Sequence, residues 1–177
     1  ITAKKTELIE LGTLFHSKKI TAADFRVAAG QILKLIHIAQ ATLGRGTTLN
    51  QKDMSTVSNI LASQFYAGKD KSGKPFGLNL LIDDVLNNRV SEPRLRNRLR
   101  MYGESGQVSF SAMERTGAVT SGMLYARRIR VPDEKSCTQC IAYEALGWRP
   151  IAQIPLPKEP GSCSCGANCR CSITYKK

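Results

Sequence analysis

The sequence predicts a mainly α chain: antiparallel helices over residues 1–119, then a small α+β, cysteine-rich module over residues 120–177. Three observations carry this. Apolar residues recur at helical spacing through the first two thirds. Residues 124–131 then switch to a mixture of β-branched, aromatic and basic side chains. All six cysteines fall near the end, as Cys137-x2-Cys140, Cys163-x-Cys165 and Cys169-x-Cys171. A chain of 177 residues can bury a core without cross-links. The thiols therefore serve the last quarter, which is poor in long apolar runs.

The helical elements follow in order, the first running from residue 2. Thr21 is a good N-cap with Asp24 three residues on. Phe25, Ala28, Ile32, Leu35, Ile36, Ala39 and Leu43 then mark an apolar stripe that Gly44 and Gly46 end. A third helix starts at Asn50, with Met54, Val57, Ile60, Leu61 and Phe65 on the face expected to meet that stripe. It stops at Gly68, before a polar loop over 69–75. Leu78 to Asn88 is apolar enough for a core helix, and Ser91-Glu92-Pro93 starts another. In that last segment Leu95, Leu99, Tyr102, Val108, Ala112 and Met113 point inward, with a break near Gly103 and Gly106.

In the C-terminal module, Leu124–Val131 reads as a strand ended by Pro132-Asp133, and Ile141–Leu146 as a short helix stopped by Gly147. Trp148–Ile154 is expected to be extended, with Trp148 as the hydrophobic plug. A proline-rich loop then leads to a closing strand, Ser172–Tyr175.

Tetrahedral zinc takes four nitrogen or sulfur donors, and a Cys-x2-Cys turn sets two thiolates on one side of the ion. Cys137 and Cys140 fit that half. In extended chain, residues i and i+2 point the same way, so Cys169 and Cys171 can supply the other half, with Cys163 or Cys165 as the alternate ligands. No secretory leader pattern is legible, which favours reduced thiols and metal; six cysteines otherwise allow disulfides. In either case the role is structural. The segment contains no histidine, and no paired-acid, phosphate-loop or nucleophile motif appears anywhere, so no catalytic residue is assigned. His16 and His37 sit on separate helices and read as ordinary core or surface groups.

Lys and Arg number 26 against 14 Asp and Glu, a net charge of +12. This favours a polyanionic neighbour, either nucleic acid or an acidic protein surface. Arg94, Arg96, Arg98, Arg100, Arg127, Arg128 and Arg130 are the candidate contacts. Aromatic residues near the helical arginines are sparse, which makes base stacking there a weak expectation. No stretch approaches the roughly 20 apolar residues of a membrane span.

The ordered set Tyr125-Ala126-Arg127-Arg128, Cys137-x2-Cys140, Gly147-Trp148-x-Pro150, Pro155-Leu156-Pro157, Pro160-Gly161, Cys165 and Asn168-Cys169-Arg170-Cys171 resembles the tail of the phage Mu F-like minor head, or head morphogenesis, proteins. The resemblance covers about residues 120–177; before that the likeness is only helical and basic character. Many members carry a histidine upstream of the final Cys-Arg-Cys, where this chain has Cys163 and Cys165. The resemblance implies a non-enzymatic head component of a tailed bacteriophage, assembled in the host cytoplasm into the virion. It would be present in multiple copies, bound to the major capsid or portal protein, with packaged DNA as a further neighbour. The competing reading is a stand-alone zinc-containing nucleic-acid-binding protein.

Overall fold

The computed structural model describes residues 1–65, 68–69, 75–131, 136–159 and 161–177. The chain is mainly helical, with a small three-stranded antiparallel sheet and a cysteine-rich C-terminal region. Helices α1 (Thr2–His16), α2 (Ala22–Arg45), α3 (Gln51–Phe65), α4 (Leu78–Leu86), α5 (Glu92–Ser105) and α6 (Gln107–Thr120) precede the module. No helix among the described residues is long and apolar enough to cross a membrane.

Local chemistry sets the helix starts. The Thr21 hydroxyl accepts from the Asp24 N–H at 3.1 Å and donates to its carboxylate at 2.7 Å, satisfying one of the orphan donors of α2. Asn50 and Asp53 cap α3 reciprocally, each side chain accepting the other's backbone N–H, at 2.9 and 3.2 Å. Ser91 precedes α5, with Pro93 in its first turn. Gly46 ends α2 at φ +70°, a left-handed conformation that glycine adopts without a Cβ penalty.

The core gathers Leu8, Phe15, Phe25, Leu33, Ile36, Leu78, Leu81, Ile82, Leu95 and Leu99 from α1, α2, α4 and α5. Phe15 stacks on Phe25 with ring centroids 4.6 Å apart. The buried face of α2 is rotated from the expected stripe. Ala29, Leu33, His37 and Ala41 point inward, while Leu35 and Leu43 are exposed. The reason is that α2 is flanked on several sides, by α1 and α6 as well as α3, so its inward arc is set by more than one partner. Against α3 it contributes Ala41, which clusters with Val57 and with Met113 of α6. Between α2 and α6, His37 Nδ1 and Ser109 Oγ share a fully buried 2.7 Å hydrogen bond.

Gly44, expected to end α2, lies inside it because α6 approaches there. A Cβ added at Gly44 would stand 2.1 Å from the Phe110 carbonyl oxygen. In a free helix Gly→Ala gains about 1 kcal/mol. Here the methyl meets backbone rather than a yielding side chain, so Gly44→Ala should destabilise by about 2–3 kcal/mol, typical of overpacking. Thermal unfolding checks this, and an unchanged or higher midpoint would show that the two helices can separate freely.

The expected break between the fifth and sixth segments falls at Gly106, which separates α5 from α6. The polar loop expected over 69–75 lies mostly outside the described residues, as do Pro132, Asp133 and Pro160. Its flanks, β1 (Gly68–Lys69) and β2 (Pro75–Phe76), pair as a short antiparallel ladder.

The module contains β3 (Tyr125–Ile129), α7 (Thr138–Ala145), β4 (Arg149–Pro150) and β5 (Ser172–Lys176), in sheet order β4-β3-β5. β3 pairs with β5 from Tyr125↔Lys176 to Ile129↔Ser172. Only Arg149 and Pro150 of the expected 148–154 extension join the sheet, because the chain turns at once into a 3₁₀ helix, Ile151–Gln153. A second small core, of Ala126, Ile151, Ile154, Leu156 and Ile173, lies under the sheet. Trp148 is not in it, so the expected plug is aliphatic.

Candidate metal centre

Three separate pieces of chain deliver the thiols. Cys137 is the N-cap residue of α7, and Cys140 follows on its first turn. Cys163 and Cys165 lie in a turn that the Ser164 N–H fastens to α7 by donating to Gln139 Oε1 at 2.6 Å. Cys169 follows the 3₁₀ turn Gly166–Asn168, and Cys171 immediately precedes β5. Cys140, Cys163 and Cys169 are buried, while Cys137, Cys165 and Cys171 are half-buried around them.

The sulfurs form two overlapping groups. Those of Cys137, Cys140, Cys163 and Cys165 all lie within 4.8 Å of one another, as do those of Cys140, Cys169 and Cys171. The quartet expected from spacing divides between them: Cys137 falls in the first group, Cys169 and Cys171 in the second, and Cys140 in both. The turn at Cys163–Cys165 brings both of its thiols to α7, which an argument from extended Cys-x-Cys pairs did not foresee.

The geometry suits a tetrahedral thiophilic ion. With metal–sulfur bonds of about 2.3 Å, tetrahedral ligands stand about 3.8 Å apart. Cys140 Sγ is 3.9 Å from Cys165 Sγ and 3.7 Å from Cys169 Sγ. The cysteine cluster can hold a metal ion.

At its centre is an arginine. Arg128, on β3, is 0% exposed. Its Nη2 lies 3.0 Å from Cys169 Sγ, 3.6 Å from Cys163 Sγ and 3.9 Å from Cys140 Sγ, and Nη1 donates to the Pro155 carbonyl at 3.4 Å. The guanidinium also stands 5.1 Å from the Tyr143 ring centroid. Among the described residues no carboxylate lies within ion-pair distance of it.

Electrostatics divides the thiols. Burial opposes ionisation of Cys137, but hydrogen bonds from Ser164 and the Cys140 N–H outweigh it and bring the thiol down to about 5. Burial likewise opposes ionisation of Cys169, which the Cys171 N–H and Arg128 hold below the usual thiol range. Burial and neighbouring thiols raise Cys140 and, more weakly, Cys165. Burial works against the charge of Arg128, yet Cys169 and Cys171 more than restore it.

The candidate contact arginines fall in different settings. Arg128 faces inward because strand alternation turns Ala126 and Arg128 to the core and Tyr125 and Arg127 outward. It therefore cannot meet a nucleic acid or an acidic surface. Arg130 pairs with Glu144 at 2.6 Å. Arg98 and Arg89 both pair with Asp84, at 2.8 and 3.0 Å, and the Arg98 hydrogen bond holds Asp84 below the usual carboxylate range. Arg96 reaches Glu92 and Thr13, and Arg100 donates to Asn97. Most of the α5 arginines thus answer local acceptors; Arg94 is exposed.

Side chains join the module to the helices. Arg115 of α6 donates to the Ile154 carbonyl. Glu104 of α5 binds Lys5 at 2.9 Å and Lys158 at 3.8 Å.

Fold and site together define a mainly helical protein with a C-terminal thiol centre built around a buried arginine. Comparison of the chain with protein-family models, curated proteins and solved structures gave no match.

Proposed function

We propose that a structural zinc ion, held by Cys137, Cys140, Cys163 and Cys165, ties the C-terminal module together. We place the chain as a non-catalytic minor head protein of a tailed bacteriophage. One observation carries the zinc reading: Arg128 is completely buried with only sulfur and a carbonyl as its described polar partners. A buried cation without a counter-charge costs several kcal/mol. Disulfides are neutral and would leave it uncompensated. Four thiolates around a divalent ion carry net charge −2, and the guanidinium touches two of that quartet, Cys140 and Cys163. Bound zinc supplies folding free energy to a segment whose own apolar core is small.

A structural role is supported by what surrounds the thiols. Half-buried and buried cysteines crowd one another. His37 and Ser109, a pair with nucleophile–base chemistry, are both fully buried between α2 and α6, out of a substrate's reach. Placement in the phage head rests on the motif resemblance across residues 120–177. In that setting the helices dock on capsid or portal and the basic surface lies near packaged DNA.

Elemental analysis with thiol titration tests the first half: one zinc per chain is expected, with four of the six thiols reacting only after chelation. A metal-free chain whose thiols appear only after reduction would mean disulfides. Mass spectrometry of purified virions tests the second, and absence of the chain from particles would favour the stand-alone nucleic-acid-binding reading.

A further inference from the structure

We propose that the outer face of the β4-β3-β5 sheet binds single-stranded nucleic acid, with unpaired bases stacking on Trp148 and Tyr125 and phosphates held by Arg127 and Lys176. Alternation along β3 turns Tyr125 and Arg127 outward, and the register sets Lys176 opposite Tyr125. Trp148, just before β4, comes to the same face. The Arg127 guanidinium stands 5.2 Å and Lys176 Nζ 4.7 Å from the Trp148 ring centroid, and Lys176 is 5.8 Å from that of Tyr125. Two cations therefore converge on one half-buried indole beside a phenol that is 40% exposed.

Charge complementarity selects the occupant. Neither Arg127 nor Lys176 has a carboxylate within ion-pair distance among the described residues, in contrast to Arg89, Arg96, Arg98 and Arg130. Exposed Arg149 follows Trp148 and exposed Lys177 follows Lys176 in the chain, and both strengthen the positive field. Carboxylates on an acidic protein would answer the cations but gain little from the rings. Nucleotides answer both, since phosphate neutralises the cations and every base presents a π-face to an aromatic side chain. Bases paired within a duplex are not free to stack, so a single strand is the better fit. The surface is separate from the thiol centre, because Arg128 and its sulfurs lie beneath the sheet.

Trp148 is the only tryptophan in the chain, so its fluorescence reports on this face directly. The full-length chain is titrated with oligothymidylate of about 12 nucleotides, within the site sizes of single-strand binders. Quenching is expected, with affinity falling as salt rises. Arg127→Gln and Lys176→Gln should each flatten the logarithmic salt slope by about 0.7, the value for one phosphate on a single strand. Tyr125→Leu should weaken binding about tenfold while Trp148 still reports. Trp148→Phe, followed by anisotropy of a labelled oligonucleotide, should retain most affinity and Trp148→Ala should lose it. Zinc content and helical circular dichroism are measured on each variant, so loss of the module is distinguished from loss of binding. No quenching at low salt overturns the proposal. Equal quenching by polyglutamate, or by a duplex of the same length, also overturns it, in favour of an acidic protein or general polyanion surface.

Discussion

Cys140→Ser should strip zinc from the protein and unfold the C-terminal module, while Cys171→Ser leaves the metal bound. Cys140 is the thiol common to both sulfur groups, and it is 1% exposed. Whichever partners complete the site, it loses the ligand that both groups share. Structural zinc contributes roughly 10–16 kcal/mol of binding free energy to small domains, and that energy is folding energy. Losing a ligand from such a site exceeds what the five-residue core beneath the sheet can offset. The helical region should survive, because its core draws on α1, α2, α4 and α5 and on none of the thiols. The expected signature is therefore zinc-free protein that keeps most of its helical circular dichroism, exposes its remaining thiols and becomes protease-sensitive after residue 124. Cys163→Ser should behave like Cys140→Ser. If Cys171→Ser and Cys169→Ser release zinc while Cys163→Ser does not, the quartet read from spacing is the ligand set. If Cys140→Ser keeps one zinc, the centre lies elsewhere.

Legibility in the sequence followed the range of the interaction. Thr21 with Asp24, Ser91 with Pro93 and Gly46 act within one turn of chain, and the corresponding helix ends fall where these residues place them. The inward arc of α2 did not follow, since a helix flanked by several neighbours buries more than one stripe, and apolar content alone left Leu35 and Leu43 on the wrong side. Clustering of the cysteines was legible and their grouping was not. A Cys-x-Cys pair points one way only in extended chain, and Cys163–Cys165 occupies a turn. Arg127 and Arg128 show the sharpest limit. Adjacent and identical in type, they are separated only by strand parity, which pairing with β5 determines. One becomes a surface cation over Trp148 and the other the buried partner of the thiols. A signal was present in the alternation Tyr125, Arg127 against Ala126, Arg128, since Ala126 belongs in a core, but the basic character of both arginines pointed outward.

Replacing Arg128 should therefore separate a zinc–thiolate centre from a disulfide module. In the zinc case the guanidinium neutralises part of the charge on the quartet and donates to its sulfurs from a fully buried position. Arg128→Leu removes that compensation, leaving excess negative charge under the sheet. Breaking a buried pair from one side typically costs about 3–5 kcal/mol. Loss of a hydrogen-bonding partner to metal ligands lowers metal affinity by about 10–100-fold. Competition with a chromophoric zinc chelator measures the second effect and denaturant unfolding of the zinc-loaded protein the first. Arg128→Lys should recover part of both, because an ammonium keeps the charge but cannot reach the sulfurs and the Pro155 carbonyl through one planar fork. Arg127→Leu, one residue away on the opposite face, should leave zinc affinity unchanged. In a disulfide module the sign reverses. The sulfurs would be neutral, Arg128 would be an uncompensated buried cation, and Arg128→Leu would be neutral or stabilising, as when a hydrophobe of similar volume replaces a buried charge. A destabilised, weak-binding Arg128→Leu beside an unaffected Arg127→Leu is the outcome that ties the buried arginine to a metal-held set of thiolates.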